Sequence, residues 1–151
     1  MSKYHNGFYQ LLNPKKYVGS KQPHYRSSWE NVVMRMCDTN PSILQWANEA
    51  IRISYRNPFT NKNTIYVPDF FVVYEDAHGK KHAEIWEIKP SKETTLESAR
   101  STRDQAAAIL NMAKWEACRA YCKAHNLTFR IISEGDMFHQ GKAPTKKRSR
   151  R

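Results

Sequence analysis

The sequence predicts one α/β domain, an α+β mixed sheet with helices packed on it. A chain of 151 residues can bury a core of its own and does not require a second domain. Two apolar runs over 65–74 and 81–89 are joined by a polar turn that contains glycine, a pattern that predicts a β-hairpin. An amphipathic helix over about 95–125 and a short apolar run at 127–133 follow. A strand that returns to a sheet through a long helix favours a mixed sheet.

The first element is an extended arm over residues 1–26, in which tyrosines and phenylalanine alternate with basic residues. Asn13-Pro14 and Gly19 interrupt any helix there, so the arm is expected to lie on the domain or on a partner. Residues 27–38 follow with apolar side chains at helical spacing and predict a helix. Ser27 and Glu30 have the spacing of a capping box at its start.

The predicted domain spans 27–138, and its sheet follows this first helix. We expect a second short helix from Ser42 and a strand over 51–55. Residues 65–74 are apolar on both faces and predict an interior strand. The returning strand over 81–89 ends before Pro90. The predicted order is therefore helix, three strands, long helix and strand.

The charge indicates a polyanionic partner. Lys and Arg number 25 against 14 acidic residues, a formal net charge of +11. Such a surface favours DNA, RNA or an acidic membrane face. Six of these charges lie in the last ten residues: Lys142, Lys146, Lys147, Arg148, Arg150 and Arg151. We expect residues 139–151 to form a disordered tail that binds phosphates without reading sequence, or alternatively a nuclear-localisation signal.

The cellular compartment follows from what the chain lacks. No apolar run is long enough to span a bilayer, and the first residues lack the apolar core of a signal peptide. We therefore expect a cytosolic protein with no membrane partner and with reduced thiols. Cys118, Cys122 and His125 lie near the end of the long helix, but zinc requires four ligands. Buried thiols are the favoured interpretation.

Three charged residues stand within the apolar hairpin. Glu87 and Lys89 are two residues apart and share one face of their strand, while Asp69 opens the neighbouring strand. In an antiparallel pair, Asp69 and Glu87 meet at one edge, where two buried carboxylates repel each other. Mg²⁺, with Mn²⁺ as a substitute, is a natural compensation, and the Ile88 carbonyl is a further candidate ligand. The alternative is an ion pair at a solvated edge, with Asp69 as a turn residue.

A cation at this edge would serve phosphodiester chemistry. It would polarise the phosphate and activate a water molecule. Lys89 could position that water, stabilise the charge that develops on phosphorus, or act as a base if its pKa falls. Gln105 and Lys114, on the following helix, could contact a phosphate, although each alone is more typical of an ordinary helix surface.

The arrangement resembles the PD-(D/E)xK nuclease superfamily. Pro68-Asp69 is followed, after seventeen intervening residues, by Glu87-Ile88-Lys89. The resemblance implies a restriction-endonuclease-like αβββαβ core and a metal-dependent DNA endonuclease with Asp69, Glu87 and Lys89 in its catalytic site. Glu30 resembles the additional acidic metal ligand of many members, whereas the capping box alone also explains it.

Longer stretches resemble the head-completion nucleases of T-even-type tailed phages: "NPKKYVG", "YRSSWE", "YVPDFFV", "EIWEIKP" and "ISEGDMF". This resemblance implies action in the host cytoplasm, after packaging and before tail joining. The basic tail and arm are expected to hold DNA without sequence preference. The resemblance also implies capsid, portal or neck partners, and retention in the virion is an option.

Three alternatives remain open. One is a non-catalytic DNA-binding assembly protein on the same fold. Another is a transposon-end-cleaving endonuclease, a class that usually has Gln at the position of Glu87. The third is an RNA-binding protein, which only the charge and the aromatic residues favour.

Overall fold

A computed structural model gives the fold of residues 6–89 and 101–133, the part of the chain that the structure describes. The elements in order are β1 (Gly7–Phe8), a 3₁₀ turn (Pro14–Lys16), β2 (His24–Tyr25), α1 (Ser28–Thr39), β3 (Ile43–Asn48), β4 (Ile53–Arg56), β5 (Asn63–Tyr66), β6 (Phe70–Glu75), β7 (Lys81–Ile88), α2 (Thr102–Ala124) and β8 (Thr128–Ile132). This composition of helices and strands confirms the predicted α+β fold class.

The central sheet has four strands in the order β3-β6-β7-β8. β6 pairs antiparallel with both β3 and β7, which confirms the predicted hairpin. β8 pairs parallel with β7 because the chain returns through α2. With α1, these strands give the αβββαβ order.

The two helices cover opposite faces of this sheet. Trp86 and Ile88 pack in one core with Val33 and Met34 of α1. Ile85, whose side chain points the other way, packs in a second core with residues of α2. Glu87 shares the orientation of Ile85, so its carboxylate lies on the α2 face.

The helix predicted from Ser42 is wrong, because this segment forms β3. The Trp46 side chain has no solvent exposure and packs against Phe70 and Tyr17. Backbone pairing with β6 aligns Trp46 with Val72. Burial and pairing therefore override the helix propensity of Leu44, Gln45 and Ala47.

The single strand predicted over 65–74 is also wrong in one respect, because residues 67–69 interrupt it. β5 ends at Tyr66 and pairs with β4 in a two-stranded hairpin outside the central sheet. The predicted strand at 51–55 corresponds to β4, so it too belongs to this hairpin. The main sheet takes β3 in its place.

The helix boundaries agree with the capping signals. Ser27 Oγ accepts a hydrogen bond from the Glu30 backbone N–H at 3.2 Å, and α1 begins at Ser28. Ser101 caps α2 in the same way, through the Asp104 N–H at 3.0 Å. The predicted start of this helix near residue 95 lies outside the described residues. Among the described helices, none is long and apolar enough to cross a membrane.

The arm lies on its own domain over residues 6–26. The Tyr9 hydroxyl donates to Asp38 Oδ2 at 2.7 Å, and the backbone N–H groups of Leu12 and Asn13 donate to the same carboxylate at 2.8 and 3.0 Å. Asp38 is fully buried at the end of α1. The arm therefore supplies the donors that allow this charge to be buried. The proposed basic tail lies outside the described residues.

The cysteines are free and buried, as predicted. His82 Nε2 lies 2.8 Å from Asp76 Oδ2, and His78 is exposed in the turn. Both histidines stand at the turn between β6 and β7.

Candidate active site

The turn before β6 places the Asp69 carboxylate against β7. Asp69 Oδ2 accepts a hydrogen bond from the Ile88 backbone N–H at 2.7 Å. β6 begins at Phe70, which pairs with Trp86, so the pairing of β6 with β7 ends before Ile88. In an extended strand the N–H and C=O of one residue point to the same side, so the Ile88 carbonyl points toward the same edge as its N–H.

The Asp69 backbone is itself fixed by β3. Its carbonyl oxygen accepts hydrogen bonds from the Glu49 N–H at 2.9 Å and from the Asn48 side-chain amide at 3.0 Å. Asn48 Oδ1 in turn accepts from the His24 N–H at 2.9 Å. Asn48 thus joins the arm, β3 and Asp69. Sequence reasoning missed it because it had assigned this segment to a helix.

Glu87 lies at the same edge, and its side chain is 10% exposed. The Tyr66 hydroxyl donates to Glu87 Oε1 at 2.6 Å. Lys89 Nζ is 4.0 Å from Glu87 Oε2. Lys114 Nζ, on α2, lies 5.8 Å from the centre of the Tyr66 ring. Both lysines therefore lie close enough for their charges to act on Glu87, and the structure adds Tyr66, which the sequence did not reveal.

Lys89 is held by its main chain. Its N–H donates to the Ile132 carbonyl at 3.0 Å, so β8 fixes the backbone of the lysine. The side chain is 25% exposed. A charged group in this position is shielded from bulk water and remains accessible to a substrate.

Burial is the largest cause of the pKa shifts of Asp69 and Glu87. Desolvation raises the pKa of Asp69 well above its usual value, and the charges of Glu87 and Glu30 raise it further. The Ile88 N–H and Lys89 oppose this shift. Desolvation also raises the pKa of Glu87, against the hydrogen bond from Tyr66 and the charges of nearby lysines. The two carboxylates therefore resist being ionised together.

Glu30 lies in the first turn of α1, near this pair. Its Oε1 accepts a hydrogen bond from the Arg26 N–H at 2.9 Å, one residue before the position that a capping box would use. The Arg26 guanidinium binds the Glu49 carboxylate through two hydrogen bonds of 3.0 and 3.1 Å. Burial raises the pKa of Glu30, and its charge acts on both Asp69 and Glu87. The helix-capping and electrostatic roles therefore coexist.

The donor set is compatible with Mg²⁺. Within residues 6–89 and 101–133, no three side chains of His, Cys, Asp or Glu converge as a ready metal-binding group. Mg²⁺, however, commonly takes one or two carboxylates and completes its shell with water and substrate phosphate. Asp69, Glu87 and the Ile88 carbonyl could supply such a set, with Glu30 behind them. The pKa values of the three carboxylates are raised, and a bound cation would lower them.

Among the remaining candidate residues, Gln105 lies within the described ranges and is not part of the cluster of Asp69, Glu87 and Lys89. Gln105 is exposed in the first turns of α2, where its backbone N–H bonds to the Ser101 carbonyl. No hydrogen bond joins its side chain to the cluster within the described ranges. Lys146, Lys147 and Arg148 lie outside those ranges.

Comparison with known proteins identifies the family. The family model described as "TnsA-like endonuclease N terminal" matches residues 40–134, which include Asp69, Glu87 and Lys89. The chain belongs to this family. The TnsA-like match starts after α1, so Glu30 lies before the matched segment.

A curated relative extends the similarity beyond this segment. The head completion nuclease of Enterobacteria phage T4 is 29% identical to this TnsA-like chain over 141 residues. The alignment covers 86% of this chain and 91% of that protein. It therefore spans most of both proteins.

Proposed function

We propose that the protein is a Mg²⁺-dependent DNA endonuclease that acts in phage head completion. The observation that carries the proposal is the cluster of Asp69, Glu87, the Ile88 carbonyl and Lys89 at one edge of the central sheet. Membership of a TnsA-like endonuclease family supports nuclease chemistry. The role in head completion is supported by the name of the phage T4 relative and by the extent of that alignment.

The residues divide the catalytic work as follows. Asp69 and Glu87 would hold Mg²⁺ or Mn²⁺, which when bound supplies a Lewis acid for the phosphate and lowers the pKa of water. Tyr66 fixes the orientation of Glu87 through its hydroxyl. Lys89 binds the phosphate and stabilises the negative charge that develops there. Glu30 tunes the charge of the pair or binds the metal through a water molecule.

DNA is the substrate that the charge favours. The net charge of +11 provides a sequence-independent attraction to phosphates. Lys114, on α2, lies close enough for its charge to lower the pKa of Glu87. Lys146, Lys147 and Arg148 would add phosphate contacts from the tail. The same proposal places the protein in the host cytoplasm, with capsid, portal or neck proteins as its partners.

The decisive experiment measures DNA cleavage. Supercoiled plasmid and short labelled duplexes are incubated with Mg²⁺, Mn²⁺, Ca²⁺ or EDTA. The wild type is compared with Asp69→Asn and Lys89→Met, and Glu116→Gln, an exposed acid on α2, is the matched control. We expect the wild type and the control to cut with Mg²⁺ or Mn²⁺ only, and both site variants to bind DNA without cutting it.

Failure to cut would have a clear meaning. If the wild type binds every DNA but cuts none with any metal, the chain is a non-catalytic assembly protein on a nuclease fold. If EDTA leaves the cutting unchanged, the metal dependence is wrong.

A further inference from the structure

The hairpin of β4 and β5 has no role in the catalytic cluster beyond Tyr66, yet its charge is one-sided. The segment 50–68 contains three basic residues and no Asp or Glu. The basic residues Arg52, Arg56 and Lys62 are all exposed. In the described part of the chain, no carboxylate forms a salt bridge with any of them. This surface is therefore suited to an anionic partner.

The two faces of the hairpin differ. Ile53, Tyr55 and Tyr66 are buried and pack in the core that includes α2. The opposite face exposes Arg56 and its partner Asn63, and Ile65 is 46% exposed there. The inner face anchors the hairpin, and the outer face offers basic, amide and apolar groups together.

The loop at the tip presents an aromatic side chain in a fixed geometry. Phe59 is 57% exposed. Asn57 Oδ1 accepts hydrogen bonds from the backbone N–H groups of Phe59 at 2.8 Å and Thr60 at 3.2 Å. The Asn57 N–H donates to the Lys62 carbonyl at 2.9 Å, and Arg56 Nε donates to Asn61 Oδ1 at 2.7 Å. A rigid loop loses less conformational entropy when its exposed ring binds a partner.

The base of the hairpin is continuous with the catalytic cluster. Tyr66 pairs with Ile53 at the base and donates to Glu87, and Asp69 follows three residues later. At about 3.3 Å per residue, the tip lies roughly 15 Å from this base. That distance is about half of the ~34 Å helical turn of DNA. One duplex can therefore contact both the tip and the cluster.

We propose that the β4–β5 hairpin is the element that selects DNA for this site. The major groove of B-DNA admits a two-stranded β-ribbon. Arg52, Arg56 and Lys62 contact the backbone phosphates, and Phe59 stacks on a base at a step that is already unstacked. The favoured substrate is thus duplex DNA with a frayed end or a mismatch, where opening the step costs least.

The inference rests on the proposed function for its link to cleavage, but DNA binding can test it without cleavage. Affinities are measured in EDTA for a fully paired duplex and for the same duplex with a central mismatch. A fluorescent adenine analogue at the mismatch reports base stacking. The variants are Phe59→Ala and Phe59→Trp, and Leu12→Ala is the control for loss of an exposed apolar side chain, because Leu12 is 62% exposed on the arm.

We expect Phe59→Ala to bind the mismatched duplex roughly tenfold more weakly than the wild type does, with little change on the paired duplex. Phe59→Trp should keep the preference, because tryptophan also stacks. The fluorescence response to binding should disappear in Phe59→Ala only. Leu12→Ala should match the wild type on both duplexes.

The basic residues have a different signature. Lys62→Gln should weaken binding to both duplexes alike and reduce the slope of log K against log salt by about one. Arg35→Gln, an exposed site on α1, is the matched control. An equal effect of both substitutions would mean that the hairpin makes no special contact.

Several outcomes would overturn the inference. One is wild-type affinity of Phe59→Ala for both duplexes, and another is equal behaviour of the Ala and Trp variants. Loss of particle assembly with unchanged DNA binding would assign the tip to a protein partner instead. If the wild type cuts no DNA but the Phe59 pattern holds, the proposed function fails and the hairpin inference stands. If the wild type cuts DNA and Phe59→Ala binds both duplexes as the wild type does, the proposed function stands and the hairpin inference fails.

Discussion

Two glutamates on β7 are both buried, yet their surroundings differ. Glu84 is 3% exposed and Glu87 is 8% exposed. Glu84 accepts two hydrogen bonds of 3.0 Å from Arg130, one of 2.7 Å from Trp86 Nε1 and one of 2.8 Å from the Tyr74 hydroxyl. Burial alone would raise the pKa of Glu84, but these donors outweigh it and lower the pKa.

Glu87 lacks this degree of compensation. Tyr66 donates one hydrogen bond to it, and Lys89 Nζ is 4.0 Å away. The charge of Glu30 raises the pKa of Glu87, and the charge of Glu87 raises the pKa of Asp69. The pKa of Glu87 is raised, with burial as the largest cause. A carboxylate whose oxygens all accept hydrogen bonds stabilises the sheet. A carboxylate with few donors around it can still bind a cation or a substrate.

The largest expected effect concerns cleavage. Asp69→Asn should reduce the cleavage rate by on the order of 10³-fold, because it removes a charged ligand from the cluster. In metal-free buffer the same variant should be at least as stable as the wild type, because one of the mutually repelling carboxylates is gone. Cleavage rates and urea unfolding curves check the two statements. A variant that cuts normally would place the chemistry elsewhere.

The next effect separates positioning from binding. Tyr66→Phe should weaken metal affinity by roughly 10–100-fold, because Glu87 loses the hydroxyl that orients it. Calorimetric titration with Mn²⁺ or Ca²⁺ measures this affinity, and cleavage should recover in part at saturating Mg²⁺. Tyr55→Phe, in the same hairpin and core, is the control. Equal metal affinities of the Tyr66 variant and the wild type would contradict the assignment.

Removal of a donor from Glu84 should affect the fold rather than cleavage. Arg130→Met should lower the free energy of unfolding by about 2 kcal/mol, because Glu84 loses two charge-assisted hydrogen bonds while it stays buried. The figure is below that of a fully buried pair, because the Arg130 side chain is 51% exposed. Denaturant unfolding measures it. A large loss of cleavage in a folded variant would mean that the two ends of β7 are coupled.

The smallest effect is the opposite pH dependence of the two glutamates. The folded pKa of Glu87 is raised, so its contribution to stability is present below about 4.5 and is lost as pH rises through the folded pKa. The folded pKa of Glu84 is lowered, so its contribution is present above about 4.5 and is lost as pH falls through the folded pKa.

Thermal unfolding in metal-free buffer between pH 2 and 8 tests this contrast. Relative to the wild type, Glu87→Gln should gain about 2–4 °C in Tm toward neutral pH, and Glu84→Gln should lose a similar amount. Parallel curves for the two variants would show that the glutamates do not differ.

The sequence predicted the charged cluster because two simple rules apply there. Side chains two residues apart share a face of a strand, and an antiparallel hairpin brings the ends of its strands together. These rules placed Glu87, Lys89 and Asp69 at one edge. Ser27 and Glu30 gave the start of α1 through an equally local rule.

Features that depend on distant pairing escaped prediction. Leu44, Gln45 and Ala47 favour a helix locally, but β6 recruits this segment as β3. The roles of Tyr66 and Asn48 follow from their tertiary neighbours, because a hydroxyl or an amide carries no positional signal of its own. Pro68 lies between β5 and β6, where its missing N–H is consistent with the end of a strand. The residues on both sides are apolar, so the pattern predicted one continuous strand.

The parallel pairing of β7 with β8 has a consequence for the order of events during protein synthesis. The Lys89 backbone is fixed by the Ile132 carbonyl, which a ribosome adds 43 residues after the lysine. A nascent chain that already contains Asp69 and Glu87, but not yet β8, therefore lacks the strand that holds this lysine in place. Parallel strands joined through a helix also form slowly compared with hairpins. The site is thus assembled late, and an incomplete chain is a poor nuclease in the cell that makes it.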